Sequence, residues 1–431
     1  MPESPVRPIA PESDNRPKRR AATSIRIAIA TLLFALGHGA TAASDTHSDS
    51  LRLAINHWVR VQESSGFLPY GFDFLRDAAT EQGMTSAANL TRQAVASAAL
   101  ADYYLLSKDQ RAHRSLQLLL EAFGRYSLPI GKSRTQTLIE KTHVLSLPVG
   151  RYRLLSGLDR FGLLYQATGP GKVLSPNSNY GNAHAGAVAL ALLTEVRYAQ
   201  AARDNRFSGL RRAWLEGLIA LRIPGEGFRV LPTSIDSTAY YDGEAWLALA
   251  EFHRTFPKDK RVGELLADLD KALLSKYGRQ YNFDFFHWGV MAAAARFADT
   301  RDAQFLDFIR IQTERFLARM KNSDEGPNYC ASLEGTTDAM GALLSAGEED
   351  TALFKRTRAW SELAMQNAIR MQIQPGQREL IFSNARISAP RLAEFSGSFR
   401  NGAYEAETQV DVTGHCISAM VKLERYRSLA E

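Results

Sequence analysis

The chain repeats one helical unit six times, and each repeat opens on a short cluster of polar and aromatic residues ahead of a run rich in Ala and Leu. The openings are 89–93, 179–184, 240–244, 285–288, 328–334 and 409–415. Internal repetition at roughly 45 to 60 residues signals a solenoid or a closed array, because each unit can bury its apolar face only on a neighbour. If the array closes, the six clusters meet at one end of one set of helices and form a site.

Apolar periodicity predicts helices in pairs. They run over 87–106 with 110–126, 182–203 with 206–221, 239–255 with 260–276, 285–298 with 302–320, and 333–346 with 350–372. Two more helices, 51–62 and 412–426, make a sixth hairpin if the last packs on the first. The first member of each pair, such as 183–193 (AHAGAVALALL) or 243–252 (GEAWLALAEF), is apolar or small nearly all round. The second, such as 260–277, carries charge on one face. First members are therefore expected inside and second members, with 51–62, outside. The expected fold class is all-α, a closed ring with short β or loop insertions at 127–178 and 373–408 around its mouth. Residues 50–428 read as one domain.

Arg16 to Arg20 and Arg26 precede an apolar stretch, 27–36, and Ala40-Thr41-Ala42 follows with the small residues a signal peptidase accepts. Residues 1–42 read as a secretory signal, with an uncleaved membrane anchor as the alternative, and the protein is expected in the periplasm or outside the cell. That segment holds six Lys/Arg and three Asp/Glu, so the formal charge of +6 falls to +3 without it. No basic stripe interleaved with aromatics occurs elsewhere, which argues against a nucleic-acid partner. Cys330 and Cys416 lie in neighbouring openings. They can form a disulfide, stay as buried thiols, or bind zinc with His415.

The openings supply two candidate sets. The carboxylates are Asp242 and Glu244 at one helix start, Glu334 with Asp338 one turn deeper on the same face, and Asp411 at the start of the last helix. Capping accounts equally well for Asp242 and Asp411. A hydrolase needs two such carboxyls across a cleft, one kept protonated, and Asp242 with Glu334 or Asp411 are the pairs to test. The rival set is His184, His287 and His415 with Tyr241, suited to removing a proton beside a uronate carboxylate. Each His alone reads equally as a structural residue. Tyr240, Trp288, Asn328 and Tyr329 are candidates for sugar contacts. Arg92 is a candidate partner for a uronate, or a structural partner for a loop carboxylate. Six inner helices opening at one mouth also point free N–H groups and positive dipole ends at a common space, which favours an acidic ligand. Trp58, Trp214 and Trp360 read as packing residues on outer helices, and Trp246 as core. The 66–71 loop reads as a turn anchoring the first connection.

The repeat architecture, with segments such as Tyr240-Tyr241-Asp242-Gly243-Glu244-Ala245-Trp246, resembles the six-hairpin (α/α)6 toroids of bacterial glycoside hydrolases, polysaccharide lyases and sugar epimerases. The resemblance covers about residues 50–428. It implies a polysaccharide or oligosaccharide partner held where the inner helices begin, with no cofactor, and an enzyme in preference to a glycan-binding assembly protein. Hydrolysis is the first expectation, uronate elimination or C5 epimerisation the second. The placement of Cys330, His415 and Cys416 is loosely similar to the zinc site of lanthionine cyclases, also α-toroids, but the hairpin number and the His–Cys order differ.

Overall fold

The computed structural model describes residues 47–80, 87–130, 167, 169–320 and 328–430. The expected signal segment and most of the 127–178 insertion lie outside them. Twelve helices occur among the described residues. The first, α1 (residues 47–61), is followed by α2 (Ala87–Ser107), α3 (Gln110–Arg125), α4 (Ala185–Ala202), α5 (Ser208–Ala220), α6 (Ala239–Thr255) and α7 (Lys260–Tyr277). Then come α8 (Phe283–Thr300), α9 (Ala303–Arg319), α10 (Tyr329–Ser345), α11 (Ala352–Met371) and α12 (Val410–Ala430). None is long and apolar enough to cross a membrane.

The even-numbered helices pack in the cyclic order α2, α4, α6, α8, α10, α12 and back to α2, so the inner ring is closed. Each of the first five inner helices packs on the outer helix that follows it. At the seam, α1 and α12 are tied by Ser48, whose hydroxyl donates to Glu424 at 3.0 Å, and by a small sheet. Strand β1 (Gly71–Asp73) leaves α1 and pairs antiparallel with β2 (Ala78–Ala79) on one edge. On its other edge it pairs with a strand at Glu407–Gln409, which leads into α12, in the register Gly71↔Gln409 and Asp73↔Glu407.

Sequence explains the two rings. In α4 every residue from Ala185 to Tyr198 is buried, so the run is apolar or small up to Leu193, and its two charges, Glu195 and Arg197, are paired with Arg211 and Asp102. In α3 the buried residues Ala112, Leu116, Leu119, Leu120 and Phe123 recur every three or four positions, the stripe of a helix with one wet face. Starts are fixed locally: Thr238 accepts from the Tyr241 N–H and Asn282 from the Phe285 N–H, each meeting a donor the helix leaves free. Close approach of neighbouring inner helices demands glycine. A Cβ at Gly243 would lie 2.6 Å from the Trp288 Cβ, so the close approach of α6 to α8 at that point requires glycine.

Of the insertions, Ser127–Pro129 (β3) pairs with Lys172–Leu174 (β4). Glu379–Ile381 forms a hairpin with Arg386–Ser388. The second insertion has its own small core of Phe72, Phe74, Ile373, Leu380, Ala389, Leu392 and Ala406, and so braces the β1 seam.

Candidate active site

Asp242 and Glu244 stand 200° apart on α6 at about 100° per residue, so only one of them can face the axis. Asp242 faces outward. Its Oδ1 accepts from the Phe228 N–H at 2.8 Å, and its Oδ2 accepts from Tyr277 of α7 at 2.7 Å and from Lys276 at 3.0 Å. It is fully buried and ties the inner helix to its outer partner and to the hairpin carrying Phe228. It is not the N-cap either, since Thr238 fills that role.

Glu244 faces the other way. Both its oxygens are buried and have no hydrogen-bond partner among the described residues, and burial holds its carboxyl well above the ordinary carboxylate range. It is packed against α4 at a point where only glycine fits, because a Cβ on Gly186 would meet Glu244 Oε2 at 2.0 Å and the Tyr241 ring at 2.7 Å. Tyr241 reaches His184 Nδ1 through its hydroxyl. Burial and then the Glu244 charge push that phenol up to about 12, while burial lowers His184.

The aromatic residues continue around the mouth. Tyr240 lies edge-to-face with Tyr241 and with Trp288, each pair at 6.3 Å, and Trp288 lies 4.2 Å from the His287 ring and 5.7 Å from His415. Burial, and then the Glu244 charge, raise the Tyr240 phenol, which also feels Asp411 and Arg92. Arg92 donates to Asp411 at 3.1 Å and to Gln409, and lies over the Tyr70 ring. Its partner is therefore the carboxylate that opens α12.

His287, Glu334 and His415 come together from the second turns of α8, α10 and α12. Glu334 Oε2 receives His287 Nε2 at 2.9 Å and His415 Nδ1 at 2.8 Å, while Oε1 accepts from Ser418 and from Lys422 at 3.0 Å. All of these side chains are buried. Burial pushes Glu334 up, but Lys422 and the two imidazoles outweigh it and hold the carboxyl well below its ordinary value. His287 is pulled down to about 4, chiefly by burial. The remaining ring nitrogens, His287 Nδ1 and His415 Nε2, are buried without a hydrogen-bond partner among the described residues.

The three ligand-type residues lie within 4.8 Å of one another, yet they do not fit a metal. Each ring faces the same Glu334 oxygen at hydrogen-bond distance, which needs a proton on that nitrogen. The Lys422 ammonium, shared with Asp338, already occupies the other Glu334 oxygen. The zinc reading of the cysteines is corrected too, because Cys330 and Cys416 form a disulfide with Cα atoms 4.9 Å apart, leaving no thiolate to coordinate. Tyr329 is buried beside it, its hydroxyl 4.0 Å from Cys416 Sγ. Asn328 adopts a left-handed turn that starts α10. Both support the disulfide corner.

Sequence reasoning missed Lys422 and Ser418, which meet Glu334 across more than 80 residues. The signal was a Lys inside a helix otherwise read as inner. Below the cluster, the C-terminal halves of the inner helices line a cavity of about 210 Å³ that carries the pairs Arg197–Asp102 (2.7 Å) and Arg254–Glu251 (2.5 Å).

Neither a protein-family model nor a curated protein sequence matches the chain. Solved structures do. An inactive variant of the α-1,6-mannanase GH76A of Salegentibacter sp. HEL1_6, in complex with α-1,6-mannotetrose, matches with a TM-score of 0.55 and 10% identity over 90% of this chain and 99% of that one. The cellobiose 2-epimerase from Bacillus thermoamylovorans B4167 gives 0.56 and 8% over 89% and 99%. An unsaturated glucuronyl hydrolase specific for heparin gives 0.53 and 10% over 90% and 98%. The fold is the (α/α)6 toroid. The toroid places Glu244, Tyr240, Tyr241, His184, Trp288, Asp411 and Arg92, together with the Glu334 cluster, within the first two turns of its inner helices. Asp242 turns instead to the outer helix α7, where Lys276 and Tyr277 hold it.

Proposed function

We propose that the protein is a carbohydrate-active enzyme that hydrolyses a glycosidic bond of a polysaccharide or oligosaccharide at the mouth of the toroid. The observation that carries this reading is Glu244, a buried carboxyl whose two oxygens have no hydrogen-bond partner among the described residues, held toward its acid form by burial beside Tyr240 and Tyr241. A carboxylic acid held neutral near neutral pH is what protonating a leaving glycosidic oxygen requires. Asp411, paired with Arg92, is the complementary carboxylate that takes a proton from water. Tyr240 and Tyr241, both half-buried, offer faces on which sugar rings stack, whereas Trp288 is buried behind Tyr240. Neighbours with this fold include a mannanase with a bound mannotetrose, which supports a glycan substrate.

The test is Glu244→Gln, which keeps shape and removes the proton. An enzyme of this kind loses at least about 100-fold in turnover with unchanged unfolding, as read by release of reducing ends. Unchanged turnover contradicts the acid role, and a loss of affinity alone indicates a glycan binder.

The second reading is elimination from, or epimerisation of, a uronate, with His287 or His415 as base. It is favoured by their shared contact with Glu334, which leaves one nitrogen of each ring without a hydrogen-bond partner among the described residues. In either case the basic and apolar 1–42 segment and the disulfide support a place outside the cytoplasm.

A further inference from the structure

We propose that Lys422 is a positioning residue: by keeping Glu334 ionised on the toroid axis, it fixes which nitrogens of His287 and His415 carry protons. On α12, His415, Ser418 and Lys422 are spaced three and four residues apart and so share one face. That face meets Glu334 and Asp338, themselves four apart on α10. Lys422 bridges the two carboxylates, donating to Glu334 Oε1 at 3.0 Å and to Asp338 Oδ2 at 2.6 Å, and Tyr426 donates to the other oxygen of Asp338 at 2.8 Å.

A carboxyl as buried as Glu334 would take up a proton without a cation beside it. Once protonated, it would itself be a donor facing two imidazoles that must then reorganise. With Lys422 charged, Glu334 accepts only. Nε2 of His287 and Nδ1 of His415 are then the protonated nitrogens, and His287 Nδ1 and His415 Nε2 are left as acceptors. Other charges around the axis do not supplant Lys422. Asp102 on α2 attracts it and Arg197 on α4 opposes it, but those two are paired with each other at 2.7 Å. On α6, Glu251 is engaged by Arg254.

The consequence for catalysis rests on the second reading above, and the decisive readout does not. With ¹⁵N-labelled histidine, NMR titration of the full chain reports tautomer and protonation of the pair. Lys422→Met removes the charge, and Lys422→Gln removes it while keeping donors for both carboxylates. In either, Glu334 takes up a proton, the His287 titration falls because its anionic partner is gone, and the two defined tautomers are lost. Lys422→Arg keeps the wild-type pattern, and Ser418→Ala, which removes only a neutral donor, leaves the titration in place. A wild-type titration in folded Lys422→Gln, or an equal shift in Ser418→Ala, overturns the inference. A shifted titration without a matching shift in the pH profile of uronate elimination overturns the catalytic reading alone.

Discussion

Cys330 and Cys416 are bonded across the seam between α10 and α12, one turn before Glu334 on one helix and beside His415 on the other. The covalent tie therefore sits directly over the contact between Glu334 and His415. It closes a loop of 86 residues, for which the loss of chain entropy in the unfolded state is about 4–5 kcal/mol. Replacing both cysteines with Ser lowers the unfolding free energy in urea by that order. A change below about 1 kcal/mol would mean that packing alone holds the seam.

Asp242 is predicted to be a structural residue despite its place beside two tyrosines. Asp242→Ala leaves the Phe228 N–H and the Tyr277 hydroxyl buried without an acceptor, at a cost of about 2–4 kcal/mol. Asp242→Asn keeps an acceptor and loses less. Thermal unfolding measures both, and turnover of folded Asp242→Asn stays within about three-fold of wild type. A loss as large as that of Glu244→Gln would return Asp242 to the reaction.

What was legible in the sequence followed from periodicity. An all-round small or apolar run such as 183–193 can only be an inner helix, and a one-sided stripe such as that of α3 can only be an outer one. Ring closure followed from pairing the two leftover helices. The site was legible as positions, because polar clusters stood at six equivalent helix starts. Direction was less so: Asp242 and Glu244 are two residues apart, and which of them faces the axis depends on where Tyr277 and Lys276 of the next helix lie. Lys422 was legible only as a Lys on a helix read as inner, and its role was not. Here its carboxylate partners arrive from a helix more than 80 residues earlier.

A pH effect on stability is expected from His57. Burial, and then Arg60, lower its pKa from 6.5 to about 3. The unfolded chain binds this proton below pH 6.5 and the folded chain does not until about pH 3. Stability is therefore lost as pH falls through that window, by about 1.4 kcal/mol per unit. His57→Gln removes this dependence while keeping an acceptor for Arg60, so the gap between variant and wild type, read by urea unfolding, narrows or reverses between pH 7 and pH 4.5. A gap constant with pH would show that His57 titrates normally.

The central claim is tested most directly by incubating the protein with neutral and uronate-containing polysaccharides in ¹⁸O-water and weighing the soluble fragments by mass spectrometry. Hydrolysis predicts fragments that carry the heavy oxygen, formed by wild type and not by Glu244→Gln. Fragments that lack one water would contradict hydrolysis and assign the reaction to the His287–Glu334–His415 cluster.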